Sequence, residues 1–314
     1  MTVNVLFAAK ESDWPEYEAA LSSALTSAGV KFHLQNTQTT GFTPAETDYM
    51  VWAPNGPVQD FTPYTRCKAI LSLWAGVERV INNPTLTQPL CRMVDQGLEE
   101  GMVEWVTGHA MRHHLGMDAQ ILGQNGIWKP HTPPLARNRR VTVLGLGALG
   151  SACAQMLRRV GFDVAGWSRR PKEIEGITCF SGEDGLQDAL KRSEILVLLL
   201  PNTSQTENVI NADTLALMPK GAFIINPGRG PLIDDEALLS ALDSGQVAHA
   251  TLDVFRVEPL PGTHPYWTHP GVTVTPHMAA DTRTDSAAQV VAENIRRGEN
   301  GEDFLYLADR STGY

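Results

Sequence analysis

Val141-Thr-Val-Leu-Gly145-Leu-Gly147-Ala-Leu-Gly150 decides the reading of this chain, because a strand-like apolar run passes directly into a G-x-G-x-x-G. The residues that follow have helical period, with Leu149, Ala152, Cys153, Met156, Leu157 and Val160 on one predicted face. A bare G-x-G-x-x-G is weak, but a strand before it and a helix after it raise it above a glycine-rich turn. Gly145 permits the tight turn, Gly147 lets backbone approach a pyrophosphate, and Gly150 lets helix and strand pack closely. Ala148, Leu149 and Gly150 then open the helix, where N–H groups and the positive dipole end face an anion. The expectation is a dinucleotide site.

The next strand identifies the dinucleotide. It spans Asp163 to Trp167 and ends Gly166-Trp167-Ser168-Arg169-Arg170, about 20 positions on, where an NAD site carries an acidic residue for the ribose 2'-hydroxyl. No Asp or Glu stands there. A carboxylate would repel a 2'-phosphate, whereas Ser168 can donate a hydrogen bond and Arg169 and Arg170 can supply charge-assisted ones. NADP(H) is therefore expected over NAD(H).

Further apolar runs follow at Ile195 to Leu200, Ala222 to Asn226, Ala250 to Val254 and Val272 to Thr275, most of them separated by helical segments. Continuous apolar strands alternating with helices indicate a parallel sheet covered on both faces. Upstream, strands are expected at Val3 to Ala8, Tyr49 to Ala53 and Ala69 to Leu73, with a helix from Pro15 to Ala28 ending at Gly29. A helix is expected from Gly101 to about Leu122, then a Pro- and Arg-rich loop to Arg140. At 314 residues the chain exceeds the ~250 that one core usually serves, so two α/β lobes are predicted. The last helix, Thr284 to Arg297, is in excess of the second sheet and is expected to return to the first lobe. The boundaries are then 1–98 with 284–314, and 99–283.

Ligands of open α/β sheets bind outside the carboxyl ends of the strands. There the chain presents Pro227-Gly228-Arg229-Gly230, then Glu258-Pro259, then Pro276-His277, each after a predicted strand. The order of the G-x-G-x-x-G unit, Asn226-Pro-Gly-Arg229-Gly, Leu252-Asp-Val-Phe-Arg-Val-Glu258-Pro and Thr275-Pro-His277-Met-Ala-Ala resembles the D-isomer-specific 2-hydroxyacid dehydrogenase family over most of the chain. Leu73-Trp-Ala-Gly-Val-Glu78, Glu258-Pro-Leu-Pro, Tyr266-Trp267 and Ala279-Ala-Asp-Thr-Arg283 bring it nearest to that family's glyoxylate/hydroxypyruvate reductase A group.

The resemblance implies a Rossmann-type doubly wound domain, a smaller flavodoxin-like α/β substrate domain, and a cleft that closes by hinge motion. It implies that Arg229 holds the carboxylate and carbonyl oxygen of a small 2-keto acid, that His277 protonates that oxygen, and that Glu258 orients His277. Histidine titrates near neutrality, and a partner carboxylate favours the imidazolium. It also assigns backbone around Ala75 and Gly76 to the substrate carboxylate and Asp253 to the nicotinamide carboxamide, with local backbone capping as the alternative for Asp253. Leu200, Pro201, Thr206, Pro227, Gly228 and Ala279 are expected to border the cofactor, with a plain loop as the alternative for Leu200, Pro201 and Thr206. Trp52 and Arg283 either line the substrate pocket or serve packing and surface. Trp105 and Trp128 lie where the family builds a homodimer interface, with burial within the subunit as the alternative. Two departures stand out: Asn226-Pro-Gly precedes Arg229 where a small residue is usual, and the acidic cofactor residue is absent.

A net charge of -10 argues against nucleic acid and acidic membrane surfaces. The four cysteines are far apart without a CxxC, so they read as reduced thiols. No run approaches the ~18 apolar residues of a membrane span, and the N-terminus lacks a basic start, so a cytoplasmic location is expected. His109 and His113 have the i, i+4 spacing of metal ligands, but no third ligand is evident, and no metal is expected. An NADP(H)-sensing corepressor-like binding protein and a D-lactate-type dehydrogenase remain alternative readings.

Overall fold

The computed structural model describes residues 2–310. The chain forms two compact units, one running up to Leu98 and resuming at Asp281, the other spanning Glu99–Ala280. The second boundary falls three residues before the expected one. Thr282 donates its hydroxyl to the Leu73 carbonyl at 2.6 Å, and the Arg283 side chain packs on Gly97, so both residues belong with the first unit.

In the first unit, strands β1 (Thr2–Ala8), β2 (Lys31–Asn36), β3 (Tyr49–Trp52), β4 (Ala69–Ser72) and β5 (Leu90–Cys91) form a parallel sheet in the order β2-β1-β3-β4-β5. This is the flavodoxin-like order. Alternating side chains divide its core. Val3, Val5 and Phe7 meet Leu21 and Leu25 of helix α1 (Trp14–Ser27) and Val291 and Ile295 of the C-terminal helix Thr284–Asn300. Leu6 and Ala8 point the other way, onto Phe61, Val77 and Ile81. β2 and β5 have no counterpart in the sequence reading. β2 is an edge strand whose first four residues are not buried, so its pattern lacks the apolar continuity of β1.

The second unit holds most of helix α2 (Gln96–Leu115), then α3 (Met117–Ile121), β6 (Arg140–Leu144), α4 (Ala148–Val160), β7 (Asp163–Ser168), β8 (Thr178–Ser181) and α5 (Gly182–Arg192). It continues through β9 (Ile195–Leu198), α6 (Ala212–Leu217), β10 (Ala222–Asn226), α7 (Asp235–Asp243), β11 (Val247–Leu252) and β12 (Val272–Val274). The expected single helix to Leu122 is broken at Gly116, which adopts a left-handed φ of 64°. The sheet order is β12-β11-β10-β9-β6-β7-β8, parallel throughout. The strand order therefore reverses between β6 and β9, the switch point where ligands of doubly wound sheets bind.

Both faces are covered. Val141, Val143, Ile195 and Val197 pack against Cys153 and Leu157 of α4 and Val106 and Ala110 of α2, while Leu144, Leu196 and Leu198 pack with Leu190 and Leu238 on the other side. Each fully buried aliphatic side chain contributes roughly 1.5–3 kcal/mol. The buried face of α4 is Gly150, Cys153, Ala154 and Leu157; Val160, expected among them, is exposed because it ends the helix. Among the described residues no helix is long and apolar enough to cross a membrane.

His113, on the inner face of α2, bonds Thr251 Oγ1 through Nε2 at 2.9 Å and stacks on Phe223. Burial, reinforced by His249 and Arg112, pushes its pKa down to about 3, and burial with Arg112 takes His109 to about 4. Among the described residues no group of three or more His, Cys, Asp or Glu is arranged to hold a metal. The consequence is acid sensitivity. As pH falls below about 6.5 the unfolded chain binds protons that folded His113 refuses, so stability is lost with falling pH. Relative to His113→Gln, the wild type should lose about 1.4 kcal/mol per pH unit between about pH 6 and pH 4. Denaturant melts of both proteins across that range measure it; parallel curves would contradict it.

Candidate active site

At the carboxyl edge of the second sheet, the loop after β6 comes first. Gly145 has a φ of 104°, donates its N–H to the Trp167 carbonyl at 2.8 Å, and leaves only 2.4 Å between a built Cβ and the Leu199 carbonyl. At Gly150 a Cβ would lie 1.7 Å from the Gly145 carbonyl, so any side chain there pushes helix from strand. Gly147 is the opposite case. No atom lies within 4 Å of its Cβ position, which leaves the backbone open to a ligand. Ala148, Leu149 and Gly150 form the first turn of α4, whose N–H groups have no intrahelical carbonyl to meet. The loop has the shape and polarity to hold a pyrophosphate.

At the end of β7, Ser168 donates its hydroxyl to the Arg170 carbonyl at 2.8 Å, so it closes its own turn. Arg169 and Arg170 are exposed, and Arg169 donates to Gln205 Oε1 at 3.1 Å. Gln205 went unread in the sequence; it follows β9 and reaches this turn only through the fold. Leu200 is buried, and Thr206 donates to the Pro201 carbonyl at 2.6 Å while accepting from the Thr203 N–H, which folds the segment after β9 into a compact loop.

After β10 the path of the unusual Asn226-Pro-Gly stretch is explicit. Asn226 is buried; its Oδ1 accepts from the Gly228 N–H at 3.1 Å and its Nδ2 donates to the Arg229 carbonyl at 3.0 Å. One amide thus shapes the whole turn. Gly228 and Gly230 are needed for close approach, their Cβ positions lying 2.7 Å from the Leu198 carbonyl and 2.0 Å from the Phe255 carbonyl carbon. Arg229 stands half-buried between them, with Nη1 on the Gly228 carbonyl at 2.7 Å.

Glu258 and His277 meet. His277 Nδ1 lies 2.8 Å from Glu258 Oε2, and Glu258 Oε1 accepts from the Phe255 N–H at 2.9 Å. The hydrogen bond that His277 donates to Glu258 raises the His277 pKa above its ordinary value against the opposing effect of burial. Burial works against the charge on Glu258 too, yet its bonds to His277 and the Phe255 N–H hold its carboxyl below the usual range. Both shifts favour an imidazolium beside a carboxylate, with the other ring nitrogen directed away from Glu258. The His277 side chain is half exposed, so a ligand can reach it.

His277 has a left-handed φ of 52°, a strained conformation for a residue with a Cβ. Asp253 holds it there. Its backbone carbonyl takes the His277 N–H at 2.8 Å; Oδ1 accepts from Thr275 Oγ1 at 2.6 Å and the Met278 N–H at 2.9 Å, and Oδ2 from the Ala279 N–H at 2.9 Å. The carboxylate therefore caps the turn that carries His277, the local role set against nicotinamide binding in the sequence reading. Ala279 is buried as part of that clamp.

The remaining expected residues belong to the first unit. Trp52 is 1% exposed, its indole N–H donates to the Val58 carbonyl at 2.8 Å, and its ring packs with Phe61. Its surroundings are those of a core residue rather than of a pocket lining. Ala75 and Gly76 are half-exposed after β4, in a loop pinned by Ser72 Oγ on the Trp74 backbone and by the Met93 N–H on the Trp74 carbonyl. Arg283 is exposed at the start of the C-terminal helix.

Residues 106–279 match the model of the D-isomer specific 2-hydroxyacid dehydrogenase, NAD binding domain. The chain is 35% identical to a glyoxylate/hydroxypyruvate reductase A of Yersinia enterocolitica, covering 99% of this chain and 100% of that one. Among solved structures, a D-isomer specific 2-hydroxyacid dehydrogenase from Xanthobacter autotrophicus Py2 in complex with NADPH and MES superposes with a TM-score of 0.91 at 37% identity, covering 100% of both chains. An NADPH-dependent glyoxylate/hydroxypyruvate reductase from Sinorhizobium meliloti, with NADP and sulfate, gives 0.88 at 32% identity over 99% of this chain and 100% of that one.

Proposed function

The chain belongs to the D-isomer specific 2-hydroxyacid dehydrogenase family, and from that membership we propose that it reduces a small 2-keto acid of the glyoxylate/hydroxypyruvate class with NADPH. The observation that carries the reading is the 2.8 Å His277–Glu258 pair at the sheet edge that also bears the phosphate loop and Arg229. NADPH, when bound, supplies a hydride for the carbonyl carbon. Gly147 and the first turn of α4 would hold its pyrophosphate, and Arg169 and Arg170 its 2'-phosphate.

The protein's own residues supply the rest. Charge develops on the carbonyl oxygen as its carbon is reduced, and an arginine beside it stabilises that charge. His277 donates the proton through Nε2, because Nδ1 faces Glu258, and Glu258 keeps the ring charged and fixed. Asp253, by clamping the backbone on both sides of His277, sets the ring's position.

Absorbance at the reduced nicotinamide band, followed against glyoxylate, hydroxypyruvate and phenylpyruvate, tests the proposal. Turnover is expected with NADPH, and the Arg169→Ala, Arg170→Ala double variant should raise KM for NADPH by about 10- to 10^4-fold relative to NADH. Tight NADPH binding without turnover of any 2-keto acid would favour the corepressor-like reading instead.

A homodimer is part of the same proposal. The segment 117–135 carries exposed Ile121, Leu122, Ile127, Trp128 and Leu135, Trp128 at 95%, a density of apolar side chains suited to a second copy of this chain. Sedimentation should return twice the chain mass; a monomer at micromolar concentration would overturn this part. A cytoplasmic location also fits, since the four cysteines are free, as in a reducing compartment, and the net charge of -10 disfavours a nucleic-acid partner.

A further inference from the structure

We propose that Lys172 is a specificity-determining residue for the 2'-phosphate of NADPH, a third cation beside Arg169 and Arg170; this rests on the NADPH reading above. The turn after β7 is closed by Ser168 on the Arg170 carbonyl. Lys172 follows Pro171, and its Nζ donates to the Leu146 carbonyl, inside the G-x-G-x-x-G. Leu146 itself lies over β7, because its Cδ2 fills the space that a Cβ on Gly166 would need, 2.4 Å away. The ammonium is therefore held where β6 and β7 end side by side, the position at which a dinucleotide-binding sheet discriminates the ribose 2'-substituent.

Charge balance points the same way. Arginines elsewhere in this unit pair with carboxylates, as Arg192 does with Asp163 and Arg139 with Glu194. Among the described residues neither Lys172 nor Arg169 forms an ion pair; their bonded partners are the neutral Leu146 carbonyl and the Gln205 amide. In a chain with ten surplus negative charges, two cations held by neutral acceptors next to an open backbone loop form an anion site. An ammonium has three donors and the Leu146 carbonyl uses one, so Lys172 can bond phosphate oxygens without leaving its anchor. Gln205 serves Arg169 as Leu146 serves Lys172, by fixing a cation without neutralising it.

Calorimetric titration of the full-length protein with 2',5'-ADP, 5'-AMP, NADPH and NADH, without substrate, tests the assignment. Lys172→Gln should weaken 2',5'-ADP and NADPH about tenfold and leave 5'-AMP and NADH within about twofold, with Lys172→Arg retaining most of the affinity. Added salt should weaken NADPH binding more in the wild type than in Lys172→Gln. Equal weakening of NADPH and NADH would move Lys172 to the pyrophosphate and overturn the proposal, as would no change in either. Lys172 is exposed, so neither variant threatens folding. If the wild type itself binds NADH as tightly as NADPH, the cofactor reading fails first, before any variant is compared.

Discussion

His277→Asn should lower kcat for keto-acid reduction by about 10^2- to 10^4-fold while leaving the Kd for NADPH within about twofold. Asparagine suits this test because it tolerates the left-handed backbone that His277 occupies at φ 52°, so the loss reports the missing acid and not a collapsed turn. In the proposed reaction the proton comes from the imidazolium, and Glu258 raises the His277 pKa. Reduction is thus fastest below that raised pKa and falls as pH rises through it. Glu258→Gln removes the charge that favours the imidazolium, so the same fall should arrive at lower pH. Stopped-flow and steady-state rates across the pH range measure both effects. An unchanged pH profile in Glu258→Gln, or near-normal turnover in His277→Asn, would remove the acid from the mechanism.

Arg229→Lys should cost about 10^2- to 10^3-fold in kcat/KM for the keto acid, although the charge is conserved. A guanidinium binds a carboxylate through two parallel N–H groups, and here one Nη is already fixed by the Gly228 carbonyl at 2.7 Å, which sets the plane of the fork. Lysine offers a point charge with no such plane. The loss should appear in both KM for the keto acid and kcat, since in the proposed mechanism the same group grips the ground state and stabilises charge on the carbonyl oxygen. NADPH affinity should not follow, because the proposed phosphate site is the loop after β6. A variant that loses only NADPH affinity would reassign Arg229 to the cofactor.

Much of this was readable from residue order. The strand–glycine–helix unit at 141–160 is a local pattern, and local patterns survive into the fold because strand pleating and helical period are set by neighbours in sequence. The absence of an acidic residue after Trp167 is equally local. Three of the four edge strands were the failure, β12 being the one expected. β2, β5 and β8 lie outermost in their sheets or are only two residues long, so each is partly solvated or too brief to show a period. The helix break at Gly116 was missed for a related reason: a glycine within an amphipathic stretch is compatible with continuing or stopping, and the φ of 64° is decided by packing around it.

The division of labour within the site follows the same physics. Residue types and their order determined that an arginine, a glutamate and a histidine would leave successive strands at one sheet edge, beside a phosphate loop lacking the acid that selects NAD. Which groups bond to which was decided by tertiary structure. Glu258 reaches His277 across 19 residues, Asn226 shapes the Arg229 turn, Asp253 clamps the backbone at His277, and Lys172 comes back onto Leu146. Such bonds need donor and acceptor aligned within a few tenths of an ångström. Hydropathy and spacing along a chain carry no information at that scale; the packed sheet, by fixing where each strand ends, supplies it.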